Sequence, residues 1–270
     1  MSLGHYENFP VASLLLPGRL RRPVSLIYRF ARSADDFADE GDLPASARLA
    51  LLEGYRAELD HLKAGRPPAT PLFRELGVVI AAYRLPFPPF YDLLDAFSQD
   101  VTQQSYASFA ELMAYCRRSA DPVGRLMLCL YDRSSEDNLA SSDSVCSALQ
   151  LINFWQDVEV DFLKNRIYLP QDEMERFGVT EAQIAARDAS GGWWYLMRFQ
   201  IERARSLLLS GAPLALRLPG RIGLEIRAVV QGGLRILEKI ERVQGDVFRH
   251  RPVLKPLDWP LILCRAAMAR

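Results

Sequence analysis

The stretch Tyr28-Arg29-Phe30-Ala31-Arg32-Ser33-Ala34-Asp35-Asp36-Phe37-Ala38-Asp39-Glu40 puts two aspartates four residues apart with a third beside them. On a helix, Asp35 and Asp39 share one face and Asp36 flanks it. Like charges at that spacing repel by roughly 0.2–0.5 kcal/mol, and aspartate is a mediocre helix former, so something positive has to compensate. A second stretch, Gln150-Leu151-Ile152-Asn153-Phe154-Trp155-Gln156-Asp157-Val158-Glu159-Val160-Asp161, sets Asn153, Asp157 and Asp161 at i, i+4 and i+8, one ridge of oxygen-bearing side chains beside an apolar run. Magnesium takes a few carboxylates and completes its octahedron with water and phosphate oxygens, so two such ridges facing each other make a clamp for a diphosphate. Either motif alone reads equally well as a solvated acidic helix face. Together, and surrounded by Phe30, Phe37, Phe154 and Trp155, they favour a paired metal site.

Helices must position these ridges. Leu51, Tyr55, Leu59 and Leu62 recur at three- and four-residue steps, and Ile222, Ile226, Val229, Gly233, Ile236 and Ile240 do so later. Breakers separate the runs: Gly-Arg-Pro-Pro at 65–68, Leu-Pro-Phe-Pro-Pro at 85–89, and Ser-Ser-Glu-Asp-Asn at 134–138. Ser108 with Glu111, and Thr180 with Gln183, have the spacing of capping boxes. Sustained period-2 alternation bounded by hairpin turns is missing, so strands are not expected as major elements. With no Gly/Ser/Pro linker and no visible repeat, the expectation is a single all-α domain over residues 1–270, a helical bundle with its ligand site between facing helices.

Composition excludes several classes of function. Hydrophobic residues at 49% and charged residues at 24% are those of a folded chain. Lys+Arg and Asp+Glu both total 33, so the basic excess of a nucleic-acid binder is absent and no nucleic-acid partner is expected. Cys116, Cys129, Cys146 and Cys264 lack the paired spacing of a zinc or redox site and read as buried, reduced thiols. His5, His61 and His250 are far apart and offer no competing site. No glycine-rich strand-to-helix fingerprint is present, so no NADPH requirement is expected. The N-terminal residues lack a basic segment followed by an apolar one, and no stretch approaches the ~20 apolar residues that span a bilayer. The expected location is cytoplasmic, with membrane-surface contact left open at Arg19, Arg21 and Arg22 and around Trp259 to Met268.

The motifs, in this order, resemble those of the squalene and phytoene synthase family, the head-to-head prenyl synthases. Tyr28 to Glu40 is similar to the family's first aspartate-rich motif, and Gln150 to Pro170, ending Asn165-Arg166-Ile167-Tyr168-Leu169-Pro170, to the second. Tyr115-Cys116-Arg117-Arg118-Ser119-Ala120-Asp121-Pro122-Val123-Gly124 resembles the segment between them, and Glu238 to Arg251 the closing helix and tail. The resemblance implies an isoprenoid-synthase-type helical bundle with a central cavity and several magnesium ions held with diphosphate. It implies Asp35, Asp39, Asn153, Asp157 and Asp161 as metal ligands, with Asp36 beside them. Arg32 and Arg166 would contact diphosphate, a role suited to guanidinium's fork of donors. Tyr28, Gln150 and Tyr168 would line the same pocket, and Tyr115 corresponds to a tyrosine that helps diphosphate depart.

Departures from the family pattern are informative. Gln156 stands where most condensing members carry arginine before the aspartate, Ala120-Asp121-Pro122 replaces an Ala-Gly, and Glu7-Asn8-Phe9 replaces Lys-Ser-Phe. Gly233 and Gly245 stand where tyrosines are usual. This combination is similar to the hydroxysqualene synthases of bacterial hopanoid biosynthesis, which handle one diphosphate: presqualene diphosphate plus water gives hydroxysqualene and diphosphate. Such an enzyme would be coupled to a presqualene diphosphate synthase and a hydroxysqualene reductase. The expected carbocation walls are Phe9, Phe30, Phe37 and Trp155, each of which also reads as plain core. Asp121 is expected either to hold the attacking water or to N-cap a helix opened by Pro122. The rival readings are a condensing synthase making presqualene diphosphate, squalene or phytoene, and a non-catalytic assembly factor on the same fold.

Overall fold

The computed structural model describes residues 16–39 and 43–269. The first helix, α1 (Gly18–Asp39), buries Leu20, Pro23, Val24, Ile27, Phe30, Ala34 and Ala38, the i, i+3, i+4, i+7 stripe of an amphipathic helix. Pro23 lies inside this helix and has no N–H to give the carbonyl of Arg19 four residues back. The hydroxyl of Tyr83 donates to that carbonyl at 3.3 Å, so the orphaned acceptor is satisfied from outside and the helix continues to its aspartates.

Three helices pack around α1: α2 (Ala45–Lys63), α3 (Pro71–Tyr83) and α4 (Pro88–Thr102). In α2 the inward stripe is Leu52, Tyr55, Leu59 and Leu62, while Leu51, expected inside, is exposed. The breaker at 65–68 lies in the loop between α2 and α3, and Pro88 of the second breaker opens α4. The chain continues through α5 (Phe109–Ser119), α6 (Asp121–Leu130), α7 (Glu136–Gln156), α8 (Val158–Leu163), α9 (Gln171–Phe177) and α10 (Glu181–Ala185). It ends with α11 (Trp193–Gly211), α12 (Leu214–Arg217), α13 (Gly220–Arg242), a 3₁₀ turn (Pro256–Asp258) and α14 (Trp259–Met268).

The polar segment at 134–138 is half loop and half helix: Ser135 N-caps α7 by accepting from the Asn138 amide. Thr180 and Gln183 form the reciprocal capping box, with Gln183 N donating to Thr180 Oγ1 at 3.3 Å and Thr180 N to Gln183 Oε1 at 3.0 Å. At Ser108 the box is shifted, because the Glu111 carboxylate accepts from Ala107 rather than from the cap residue.

Among the described residues no strand forms, and the β-type contact is one isolated bridge between Ser105 and Ile167. Two apolar clusters fill the domain. One gathers α1 to α4 and α6 around Phe30, Phe73 and Phe90, and the other gathers α5, α7, α11 and α13 around Trp155 and Trp193. The cysteines are unpaired; Cys116 is buried as expected, but Cys264 is exposed. Among the described residues no helix is long and apolar enough to cross a membrane.

Candidate active site

The two acidic motifs meet where the apolar clusters meet. Asp39, in the last turn of α1, pairs through Oδ1 with Arg166 at 2.6 Å and through Oδ2 with Lys164 at 2.7 Å. Local sequence builds this meeting. Helix α8 ends at Leu163 with Lys164 as its C-cap, and the next residue, Asn165, has a left-handed φ of 59°, while Arg166 N donates to Asp161 O and Asn165 N to Phe162 O, both at 2.9 Å. That is a Schellman cap, a turn that asparagine tolerates, and it sends Lys164 and Arg166 back toward α1. Ile167 N then donates to Gln104 O at 2.8 Å, which fastens the strip beside the end of α4.

The ridge expected over Asn153, Asp157 and Asp161 is not one straight helix. The backbone bonds Asp157 N to Asn153 O and Asp161 N to Asp157 O persist at 2.9 Å, but Asp157 caps α7 at φ −111° and ψ 17°, and α8 starts afresh. The three side chains therefore part. Asn153 is exposed, Asp157 pairs with Arg251 (Nη2 to Oδ2 at 3.0 Å, with Nε on Oδ1), and the Asp161 carboxyl feels the charge of Asp157 first and those of Lys164 and Arg166 after it. Gln156, where condensing relatives carry arginine, is buried and donates its amide to the carbonyl of Pro252. The cation beside the second motif thus comes from the tail.

On α1, Arg32 bridges Asp35 at 3.1 Å and Asp36 at 2.7 Å. Burial, reinforced by Asp39, pushes the Asp35 carboxyl up to about 6. Burial and then Asp157 push Asp161 up to about 8 despite Lys164 and Arg166. Burial would raise Asp39 too, but the hydrogen bonds and charges of Arg166 and Lys164 outweigh it and hold that carboxyl below its usual range.

A residue that no spacing rule singled out sits at the centre. Asp100, in the last turn of α4, accepts from the Tyr115 hydroxyl at 2.9 Å and the Tyr168 hydroxyl at 3.5 Å, while Arg166 donates to its backbone carbonyl at 3.0 Å. Burial pushes its carboxyl up to about 7 against the pull of Arg166 and Tyr115. Burial raises both tyrosine hydroxyls well above their usual value, so they act as donors. A lone aspartate amid Gln99 and Val101 gives no periodic signal; its chain-distant partners identify it.

The aromatic wall is Phe154, Tyr168, Tyr106 and Tyr115. Phe154 and Tyr168 stack at 3.7 Å, and Tyr106 stacks on Tyr168 at 5.6 Å. Two expected wall residues lie elsewhere. Phe30 is fully buried among Phe73, Phe90 and Tyr55, and Trp155 is fully buried on the α7–α11 side. Both point into packed core because they sit on the helix faces opposite the aspartates. Phe37 rests its ring against Tyr55. Phe9 lies outside the described residues. Tyr28 and Gln150 are half-buried on α1 and α7. Of the expected chamber, a cavity of about 10 Å³ opens between Phe154, Asp161, Arg166 and Tyr168, room for one water.

Asp121 does not N-cap a helix, one of the two roles expected for it. It is 2% exposed and accepts from Ser147 Oγ at 2.7 Å, tying α6 to α7. It is itself the first residue of α6, with Ala120 at the N-cap and no side-chain cap.

Among the described residues no three acidic side chains converge on a point ready for a metal, because Arg32, Lys164, Arg166 and Arg251 hold them. The donor set nevertheless suits a hard cation: Asp161 Oδ2 is buried with no hydrogen-bond partner, and Asp35 and Asp161 are carboxyls short of positive charge.

Residues 3–258 match the family model described as squalene/phytoene synthase. A hydroxysqualene synthase of Rhodopseudomonas palustris is 34% identical over 255 residues, covering 94% of this chain and 85% of that one. A phytoene synthase of Mycobacterium tuberculosis is 33% identical over 203 residues, 73% of this chain and 65% of that one. The crystal structure of squalene synthase HpnC from Alicyclobacillus acidocaldarius superposes with a TM-score of 0.82 at 37% identity, covering 89% of this chain and 90% of that one.

Proposed function

Because this chain belongs to the squalene/phytoene synthase family, whose members process prenyl diphosphates head to head, we propose that it converts presqualene diphosphate and water into hydroxysqualene and diphosphate with magnesium. The observation that carries this reading is the cross-link of the two acidic motifs through Asp39, Lys164 and Arg166. Four charged groups from the two motifs, Asp35, Asp39, Asp161 and Arg166, sit there beside a stacked aromatic wall.

In the reaction the carbon–oxygen bond to diphosphate breaks with both electrons leaving on the phosphate oxygen. The cyclopropylcarbinyl cation rearranges, water adds through its oxygen, and a proton is lost. Asp35, Asp39, Asn153, Asp157 and Asp161, with Asp36 beside them, are the residues that would hold magnesium, which would supply Lewis-acid stabilisation of the leaving group. Arg32, Lys164 and Arg166 offer N–H donors to the same charge, and burial strengthens them. Tyr115 and Asp100 hold a proton between them directly behind Arg166 and Tyr168, which line the cavity, so this pair can pass a proton toward the departing oxygen through the Tyr168 hydroxyl. Phe154 and Tyr168, both in the cavity lining, would give the cation non-nucleophilic aromatic neighbours.

Gln156 favours the one-diphosphate reaction over condensation: its amide is spent on Pro252 inside the protein and supplies no charge for a second diphosphate. Presqualene diphosphate and farnesyl diphosphate, supplied singly with magnesium and followed by product analysis, test the assignment. Hydroxysqualene from the first and no turnover of the second is the expected result. Presqualene diphosphate or squalene from farnesyl diphosphate, or phytoene from the geranylgeranyl substrate, would assign the condensing reaction instead. Absence of diphosphate release from every substrate would leave a scaffold.

A further inference from the structure

A second, strongly basic cleft of about 310 Å³ lies between the C-terminal half of α13 and the tail that follows it. Its cations are Arg235, Lys239 and Arg242 from the helix and His250, Arg251 and Lys255 from the tail. The first three fall at i, i+4 and i+7, so one helix face carries them into the cleft. One carboxylate of the lining opposes them, and Glu238 on α13 also takes Arg235 at 2.9 Å. Asp258, 4% exposed, pairs with Arg235 at 2.8 Å and with Lys239, and accepts from the Lys255 amide at 2.7 Å.

Asp258 therefore ties the floor together and leaves the mouth under-neutralised. Among the described residues Arg242, His250 and Lys255 have no carboxylate within ion-pair distance, and the pairing of Arg251 goes to Asp157, outside the cleft lining. In a chain whose Lys+Arg and Asp+Glu totals are both 33, this is a local concentration of charge. A volume at the lower end of ligand pockets, walled by two elements braced through a buried carboxylate, is a built concavity rather than scattered surface lysines.

We infer that this cleft is a binding site for a phosphate-type dianion, distinct from the carboxylate clamp and joined to it by Arg251. The forked donors of Arg242 suit phosphate oxygens, and Lys255 adds a point charge at the rim. The ligand chemistry belongs equally to free diphosphate and to the phosphate of an anionic lipid, and this inference does not depend on which reaction the clamp performs.

The test is titration calorimetry of the full chain with inorganic diphosphate in metal-stripped buffer of low ionic strength, where the carboxylate clamp has no magnesium to recruit the anion. Sedimentation with vesicles containing phosphatidylglycerol forms the second arm. Binding in either arm that weakens at least ~10-fold in Arg242→Gln/Lys255→Gln and survives in Asp161→Asn supports the site. The arm that responds identifies the source. Both variants are surface or clamp changes outside the Asp258 brace, and circular dichroism establishes that they fold. Absence of binding in both arms, or binding unchanged by the double substitution, overturns the inference.

Discussion

Asp121 keeps its proton up to about pH 7 in the folded chain because burial outweighs the hydrogen bond from Ser147, whereas in the unfolded chain it releases it near 3.8. Between those values the folded state binds more protons, so stability falls as pH rises through the window. Asp121→Asn removes this contribution, and melting temperatures measured between pH 4 and pH 8 are expected to fall less steeply for the variant than for the parent. Because Asp121 ties α6 to α7 and is not in the cavity lining, turnover of the prenyl diphosphate substrate by the variant is expected to stay within a few-fold of the parent. Tyr115 is the contrasting case. Its hydroxyl donates to the buried Asp100, and Tyr115→Phe leaves that carboxyl short of a donor, a loss of roughly 1–3 kcal/mol. Turnover is expected to drop by about 10²-fold with a smaller change in KM, read from initial rates of diphosphate release.

Helix α11 lies so close to α7 that Gly211 has no room for a side chain. A methyl group built there would stand 2.5 Å from the carbonyl oxygen of Ser141 and 2.9 Å from the amide nitrogen of Val145. Those are backbone atoms that cannot step aside, so Gly211→Ala is expected to lower stability by about 1–3 kcal/mol. Urea unfolding would show this as a lower midpoint with an unchanged slope. Gly233 on α13 is a milder case: a Cβ there meets the side-chain methyls of Leu208 at 2.9 Å and Leu149 at 3.0 Å, which can shift. The tyrosine usual in relatives could not be accommodated without moving both leucines. At Gly245 the φ of 74° would strain any side-chain-bearing residue, and a Cβ there would stand 2.8 Å from Met197, so glycine suits both positions in this packing.

At the scale of the whole molecule, the carboxylate junction is where the two apolar clusters share a boundary, and its charge is unbalanced by burial. Magnesium with diphosphate is therefore expected to bind the folded chain selectively and raise its melting temperature, by about 2.7 kcal/mol of stability at a hundredfold excess over Kd. Chelation with EDTA should reverse the rise, as scanning calorimetry would show. Asp161→Asn, which removes the charge of the carboxyl with the orphaned oxygen, should lose most of it. The helical class, the Pro-initiated helices, the Thr180 cap and both aspartate motifs follow from short-range rules: spacing at three and four residues, breakers and caps act within one or two turns and need no tertiary partner. Which side of each helix faces the site was not legible in that way. Phe30 and Trp155 sit beside the motif aspartates in sequence and in the packed core in space, because neighbouring helix positions point about 100° apart. Asp39 finds Lys164 and Arg166, separated from it by 125 and 127 residues, only once α1, α4 and the Asn165 turn have packed together. Asp100, Asp157 with Arg251, and the basic cleft beside Asp258 likewise depend on which distant chain segments share a boundary, and the packing of two apolar clusters, rather than any local pattern, decided that.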